Sequence, residues 1–133
     1  MGKQFVNKTD FENFKRRQSQ RFKTEIIEDW NAPALLNSWV NYNAATHQPA
    51  GYYRDPLGVV HVRGTIKDGT ATAGTVLFQL PIGYRPTKFV FLPIVHNGAW
   101  GFVYVTASGN VTLGMGVTNT YVTLDGLYFR AEQ

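Results

Sequence analysis

From Tyr52 onward, apolar and polar residues alternate with a period close to two. In VVHVRGTI, Val60, Val62 and Ile66 fall on one side and His61, Arg63 and Thr65 on the other, the signature of a half-buried strand. AGTVLFQLP, KFVFLPIVH and AWGFVYVT are further apolar runs, and VTLGMGV sets Val111, Leu113, Met115 and Val117 on one face. YVTLDGLYF reads as the last strand. Turn formers separate the runs: Asp55-Pro-Leu-Gly58, Lys67-Asp-Gly69, Asn97-Gly98 and Ala107-Ser-Gly-Asn110. Asn-Gly between two strands is the strongest short hairpin signal, because both central residues of the turn need a positive φ. Leu80–Pro86 (LPIGYRP) reads as a stiff corner, since Pro81 lacks a ladder donor and Pro86 holds Arg85 extended. At least six strands at this spacing predict a mainly β protein, an antiparallel β-sandwich of jelly-roll-like form.

The first thirty residues break this pattern and predict an α-helix. Thr9 and Glu12 have capping-box spacing, and Asp10 suits a helix N-terminus. Phe11, Phe14, Phe22, Ile26 and Trp30 form a thin apolar stripe, with Gln18 on its line. A stripe so narrow suits a helix laid on a larger body or a short bundle between chains. Asn31-Ala-Pro33 is the expected stop. The predicted organisation is a charged helix over residues 1–30 and a β-sandwich over 31–133.

Charge sharpens that division. Residues 1–30 carry seven basic and five acidic side chains, whereas residues 31–133 carry only six and four. Between Glu12 and Glu25 every charge is positive, which raises the option of nucleic-acid binding. The nearby acidic residues and the lack of interleaved aromatic platforms favour a solvated helix face instead. Cysteine is absent, so disulfides and thiolate metal sites are excluded. No apolar run reaches the ~18 residues of a membrane span, and the N-terminus lacks a signal-peptide apolar core.

Candidate chemistry is sparse. His47, His61 and His96 form no metal-ligand spacing. Asp55, Asp68 and Asp125 each adjoin Pro or Gly, where aspartate forms turns. No nucleophile elbow or phosphate loop occurs, so no catalytic residue, metal or cofactor is expected. Aromatic residues near turns remain. His96, Asn97 and Trp100 belong to the Asn-Gly hairpin, and Tyr52 and Tyr53 adjoin the Asp-Pro turn. These five are the candidate ligand-binding residues, because sugar C–H faces stack on rings while hydroxyls take hydrogen bonds. Against that, Trp100, Phe102 and Tyr104 share one strand face by their spacing of two, and large aromatics are mostly buried, in the core or between subunits.

An ordered set of short motifs adds a resemblance. Trp39-Val-Asn-Tyr42, Tyr53-Arg-Asp55, Gly58-x-Val60-x-Val62-x-Gly64, Leu80-Pro-x-Gly-Tyr-Arg-Pro86, Gly109-x-Val111 and Leu124-Asp-Gly-Leu-x-Phe129 follow one another. Over roughly residues 35–130 this order resembles the C-terminal part of tail-fibre and baseplate proteins of tailed phages that infect Gram-positive bacteria, including siphophage receptor-binding proteins. The resemblance implies β-sandwich modules behind an N-terminal helical segment, commonly in trimers. It further implies a virion protein of the tail tip or baseplate, made in the bacterial cytoplasm. Its partners would be other tail proteins and a host cell-wall saccharide. The expected function is therefore non-enzymatic, in host attachment or tail-tip scaffolding. The alternative is an intracellular phage accessory protein that binds nucleic acid or a protein through its basic helix.

Overall fold

The computed structural model describes residues 7–132, and for residues 18–26 the backbone alone. Helix α1 spans Lys8–Ile26. Its N-cap is Asn7, whose side-chain oxygen accepts the amide of Asp10 at 2.9 Å. Asn7 thus takes the role expected of Thr9, because an Asn oxygen satisfies the free amide equally well two residues earlier. The helix also ends sooner than expected: Ile27 is extended (φ −92°, ψ 116°), so Trp30 is not on the helix. The described helix side chains, up to Arg17, are exposed except for the half-buried Asn13 and Phe14. The predicted stripe positions Phe22 and Ile26 lie outside the described side chains.

Ten strands follow: β1 (Val40–Asn41), β2 (Gly51–Arg54), β3 (Val59–Arg63), β4 (Thr65–Lys67), β5 (Val76–Gln79), β6 (Val90–His96), β7 (Ala99–Val105), β8 (Asn110–Leu113), β9 (Val122–Thr123) and β10 (Leu127–Arg130). Seven form one antiparallel sheet in the order β1-β4-β9-β6-β7-β8-β5, and three form a second in the order β10-β3-β2. The inner faces meet in one core. The small sheet contributes Val60, Val62, Leu127 and Phe129. The large sheet contributes Ile66, Leu77, Phe78, Leu92, Ile94, Val103, Val105, Val111, Leu113 and Val122. Trp39 closes one end, its ring lying against Gly69 and its indole N–H donating to the Thr70 carbonyl at 3.1 Å. The protein is an antiparallel β-sandwich with an N-terminal helix.

The hairpins arise where turn chemistry predicts them. Asn97 (φ 45°) and Gly98 (φ 81°) join β6 to β7 with His96 opposite Ala99. The Asp55 carboxylate caps the β2–β3 turn by accepting the amides of Leu57 and Val59 at 2.9 and 3.0 Å.

Two runs that read as single strands are each two. VVHVRGTI breaks at Gly64 (φ +125°), so that β3 lies in the small sheet and β4 in the large one. YVTLDGLYF breaks at Asp125-Gly126, with β9 in the large sheet and β10 in the small one. The two breaks are stitched together: Leu124 N–H donates to the Gly64 carbonyl at 2.7 Å, and Gly64 N–H donates to Asp125 Oδ1 at 2.8 Å. One antiparallel ribbon, β3 with β10 and then β4 with β9, therefore bends from sheet to sheet at a single corner. Gly64 is required there, because a Cβ would stand 2.4 Å from the Ala50 Cα.

A third expectation is also corrected. Strand β8 ends at Leu113, so Met115 leaves the face of Val111 and Leu113 and is partly exposed. Thr112, between Val111 and Leu113, is buried as well.

Candidate functional site

The outer face of the large sheet is where the sequence and structure diverge most. Trp100, Phe102 and Tyr104 share a face, as their spacing requires, but it is not the core face; Val103 and Val105 fill the core instead. Opposite them on β6 stand Val95, Pro93 and Phe91. Phe91 packs between Phe102 and Tyr104 at centroid distances of 5.5 and 6.0 Å, and Phe89 stacks on Tyr104 at 5.4 Å. Trp100 and Phe91 remain 76% and 66% exposed. An antiparallel sheet can leave one face uncovered, which overrides the burial preference of single aromatics.

The predicted ligand residues do not share one surface. Asn97 and Trp100 are exposed at the hairpin tip. His96 points inward and is 8% exposed. Its Nδ1 accepts the amide of Thr118 at 3.0 Å, and its buried Nε2 has no hydrogen-bond partner. Tyr52 and Tyr53 lie on β2 in the other sheet and point to opposite faces of it. Tyr52 packs edge-on to Tyr84 of the LPIGYRP corner, with centroids 5.2 Å apart. The Tyr84 hydroxyl donates to Glu28 at 2.8 Å, and burial together with this carboxylate pushes both phenols above their ordinary pKa. The corner thus anchors the segment that follows the helix, as does the Asn31–Tyr52 bridge.

Tyr53 stacks on His61 at 4.7 Å and receives the edge of Trp30 at 4.6 Å, while the guanidinium of Arg63 lies 4.3 Å over the Trp30 ring. His61 Nε2 is 2.9 Å from Asp55 Oδ2. That bond, with the amides of Val59 and Leu57, holds the Asp55 carboxyl below its ordinary pKa.

Asp55 and Asp125 do not form a catalytic pair. Asp55 is bonded to the amide at one end of β3 and Asp125 to Gly64 just past the other. Five extended residues separate those amides by about 16 Å, beyond the ~5–9.5 Å of glycosidase carboxylates. Among the described residues, no three His, Asp or Glu side chains gather in a way that could hold a metal ion, and no described helix is long and apolar enough to cross a membrane.

A concavity lies at the sheet-switching corner. Tyr42, His47, Thr65, Tyr121, Thr123 and Asp125 line a cavity of about 380 Å³. A second of about 360 Å³ lies over the loop from Ala44 to Pro49 and shares His47 and Asp125 with it. The rings of Tyr42 and Tyr121 meet at 76° with centroids 6.2 Å apart, and His47 sits edge-on to Tyr42 at 4.8 Å. Thr46 Oγ1 is 2.8 Å from His47 Nδ1, and Thr123 Oγ1 donates to Asp125 Oδ2 at 3.2 Å. Of this group, only His47 and Asp125 are weighed for chemistry from the sequence, one as a histidine without metal-ligand spacing and the other as a turn former, while Thr65 falls on a polar strand face and Tyr42 in an ordered motif. The ordered Trp39–Tyr42 and Leu124–Phe129 motifs flank the site, but only the pairing of β1, β4 and β9 brings them together.

Cross-strand register links this groove to the aromatic face. Trp100 pairs with Val95, Val95 with Thr123, and Thr123 with Thr65, so all four side chains project from the same face.

No protein-family model and no curated protein matches the sequence. Among solved structures, the chain is similar to the receptor binding protein gp15 of Listeria phage PSA, with a TM-score of 0.67 at 18% identity over 99% of this chain and 83% of that one. What the two share is the fold, that of a phage receptor-binding protein, and this meets the resemblance carried by the ordered motifs.

Proposed function

We propose that this chain is a non-enzymatic component of a phage tail tip or baseplate, acting in host attachment by binding a cell-wall saccharide. The observation that carries the reading is the fold likeness to a receptor binding protein along nearly the whole chain. The outer face of the large sheet suits the task, since it offers ring faces at Trp100 and an adjacent polar concavity. Of the candidate residues, Asn97 and Trp100 are open to a ligand, while His96 and Tyr52 pack within the fold. In this reading residues 1–30 act as the connecting helix, residues 31–133 as the binding domain, and the working unit is a homo-oligomer, with a trimer favoured.

The test is binding of the intact protein to cell-wall preparations from Gram-positive bacteria, with Trp100→Ala alongside. Saturable binding weakened in the variant is expected. Failure to bind any wall preparation would remove the attachment role. A second reading, tail-tip scaffolding, is favoured by the exposed apolar patch of Phe89, Phe91 and Pro93 beside Phe102 on the outer face of the large sheet. It predicts co-purification with neighbouring tail proteins rather than with wall polymer.

A further inference from the structure

The groove at the sheet-switching corner has the chemistry of one particular ligand. Its two lobes share a wall made by His47 and Asp125. The cavity volumes, about 380 and about 360 Å³, each fall at the small end of the ~300–1,000 Å³ usual for small-molecule sites. The Tyr42 and Tyr121 rings form an angled wall on which a six-membered ring can stack through its C–H face while meeting the edge of the other ring. Asp125 is exposed, and a carboxylate has about four acceptor positions. The Gly64 amide and the Thr123 hydroxyl use two of them. About two acceptor positions remain, which matches the two neighbouring hydroxyl donors that a vicinal diol presents. His47, with Nδ1 engaged by Thr46, keeps Nε2 for a further hydroxyl.

Among the described residues, no lysine or arginine lines either lobe. Lys67 lies 5.5 Å from the centroid of the Tyr42 ring and 4.0 Å from Asp68. A phosphate or other anion would meet the Asp125 carboxylate with no lysine or arginine among the described lining residues to offset it.

We infer that this groove binds two consecutive neutral sugar units of a polysaccharide, one in each lobe, with Asp125 accepting hydroxyl hydrogen bonds from both. The chain direction that continues along the sheet leads to Trp100. It lies two strands from Thr123, about 10 Å at the usual strand spacing. Trp100 is therefore a flanking platform for a third unit. The inference rests on the attachment reading and names the place and the class of ligand.

The experiment is an amide-resolved NMR titration of the full chain. The probes are neutral hexose and N-acetylhexosamine disaccharides and polysaccharide released from Gram-positive walls. Saturable shifts centred on His47, Tyr121 and Asp125 are expected. Tyr121→Ala and His47→Ala, each checked for an unchanged fold by its amide spectrum, should weaken binding by about tenfold. Leu57→Ala, at the far end of β3, should not. Affinity should hold as salt rises from about 0.05 to about 0.5 M, since no ion pair is involved. Polysaccharide binding that shifts only Asn97 and Trp100 overturns the groove and leaves the attachment reading standing. A steep loss with salt overturns the neutral ligand. Absence of binding to every wall polymer overturns both the groove and the attachment reading.

Discussion

Asp55 and Asp125 begin alike and end with different roles. Each sits in a turn that contains a glycine and accepts a backbone amide. Asp55 is spent on structure: two amides share one oxygen, His61 takes the other, and Tyr53 stacks on that histidine. Asp125 holds one amide and one hydroxyl and faces a groove. The difference comes from the surroundings. The Asp55 turn joins two strands of one sheet, so the carboxylate folds back on its own hairpin. The Asp125 corner joins two sheets, and the splaying of the chains there opens a concavity beside it.

The largest expected effect separates the two corners by stability. Gly64→Ala adds a Cβ that meets the Ala50 backbone and forbids the φ of +125°. It should cost about 3 kcal/mol or more in denaturant unfolding. Gly58→Ala, in the Asp55 turn, has only the flexible Arg54 side chain within 3.4 Å and should cost about 1–2 kcal/mol for its positive φ. Equal losses would remove the special place of the sheet-switching corner.

Asp55→Ala should lower the denaturant midpoint by less than Gly64→Ala does, because it removes the acceptor of the Leu57 and Val59 turn amides. Its pH dependence has a definite sign. The folded-state pKa of Asp55 lies below its ordinary value of 3.8, so the stabilisation is present above pH 3.8 and is lost as pH falls through the lower folded value. An acid titration of stability should therefore show a shallower acid limb in the variant than in the wild type.

The smallest effect is on the open face. Trp100→Ala should change stability by less than about 0.5 kcal/mol, since its side chain is largely in water, whereas Val103→Ala beside it should cost about 2–3 kcal/mol. A large loss at Trp100 measured at high protein concentration, absent on dilution, would reveal a subunit contact on that face.

These contrasts also explain what could be read in advance. Hairpins were legible because Asp-Pro-x-Gly and Asn-Gly act through local backbone geometry. The sheet switch at Gly64 was not, because Val60, Val62 and Ile66 keep the same inward alternation straight through the bend. Only the positive φ of Gly64 records it. Whether the aromatic face is buried or open was illegible for a different reason: period two says which side chains share a face, but not which face has a second sheet behind it. The groove was illegible because its residues come from separate segments, joined by the non-local pairs β1–β4 and β4–β9. The helix cap slipped by two residues because Asn7 and Thr9 both have capping side chains.

The most direct measurement compares Asp125→Asn with Asp55→Asn in affinity for Gram-positive wall polysaccharide, by calorimetric titration of the folded proteins. Asparagine keeps an acceptor for the Gly64 amide and removes only the carboxylate charge and one acceptor. A loss of about tenfold for Asp125→Asn, against less than about twofold for Asp55→Asn, is the predicted result. Equal affinities for the two variants, or the larger loss at Asp55, would contradict the placement of the ligand at the sheet-switching corner.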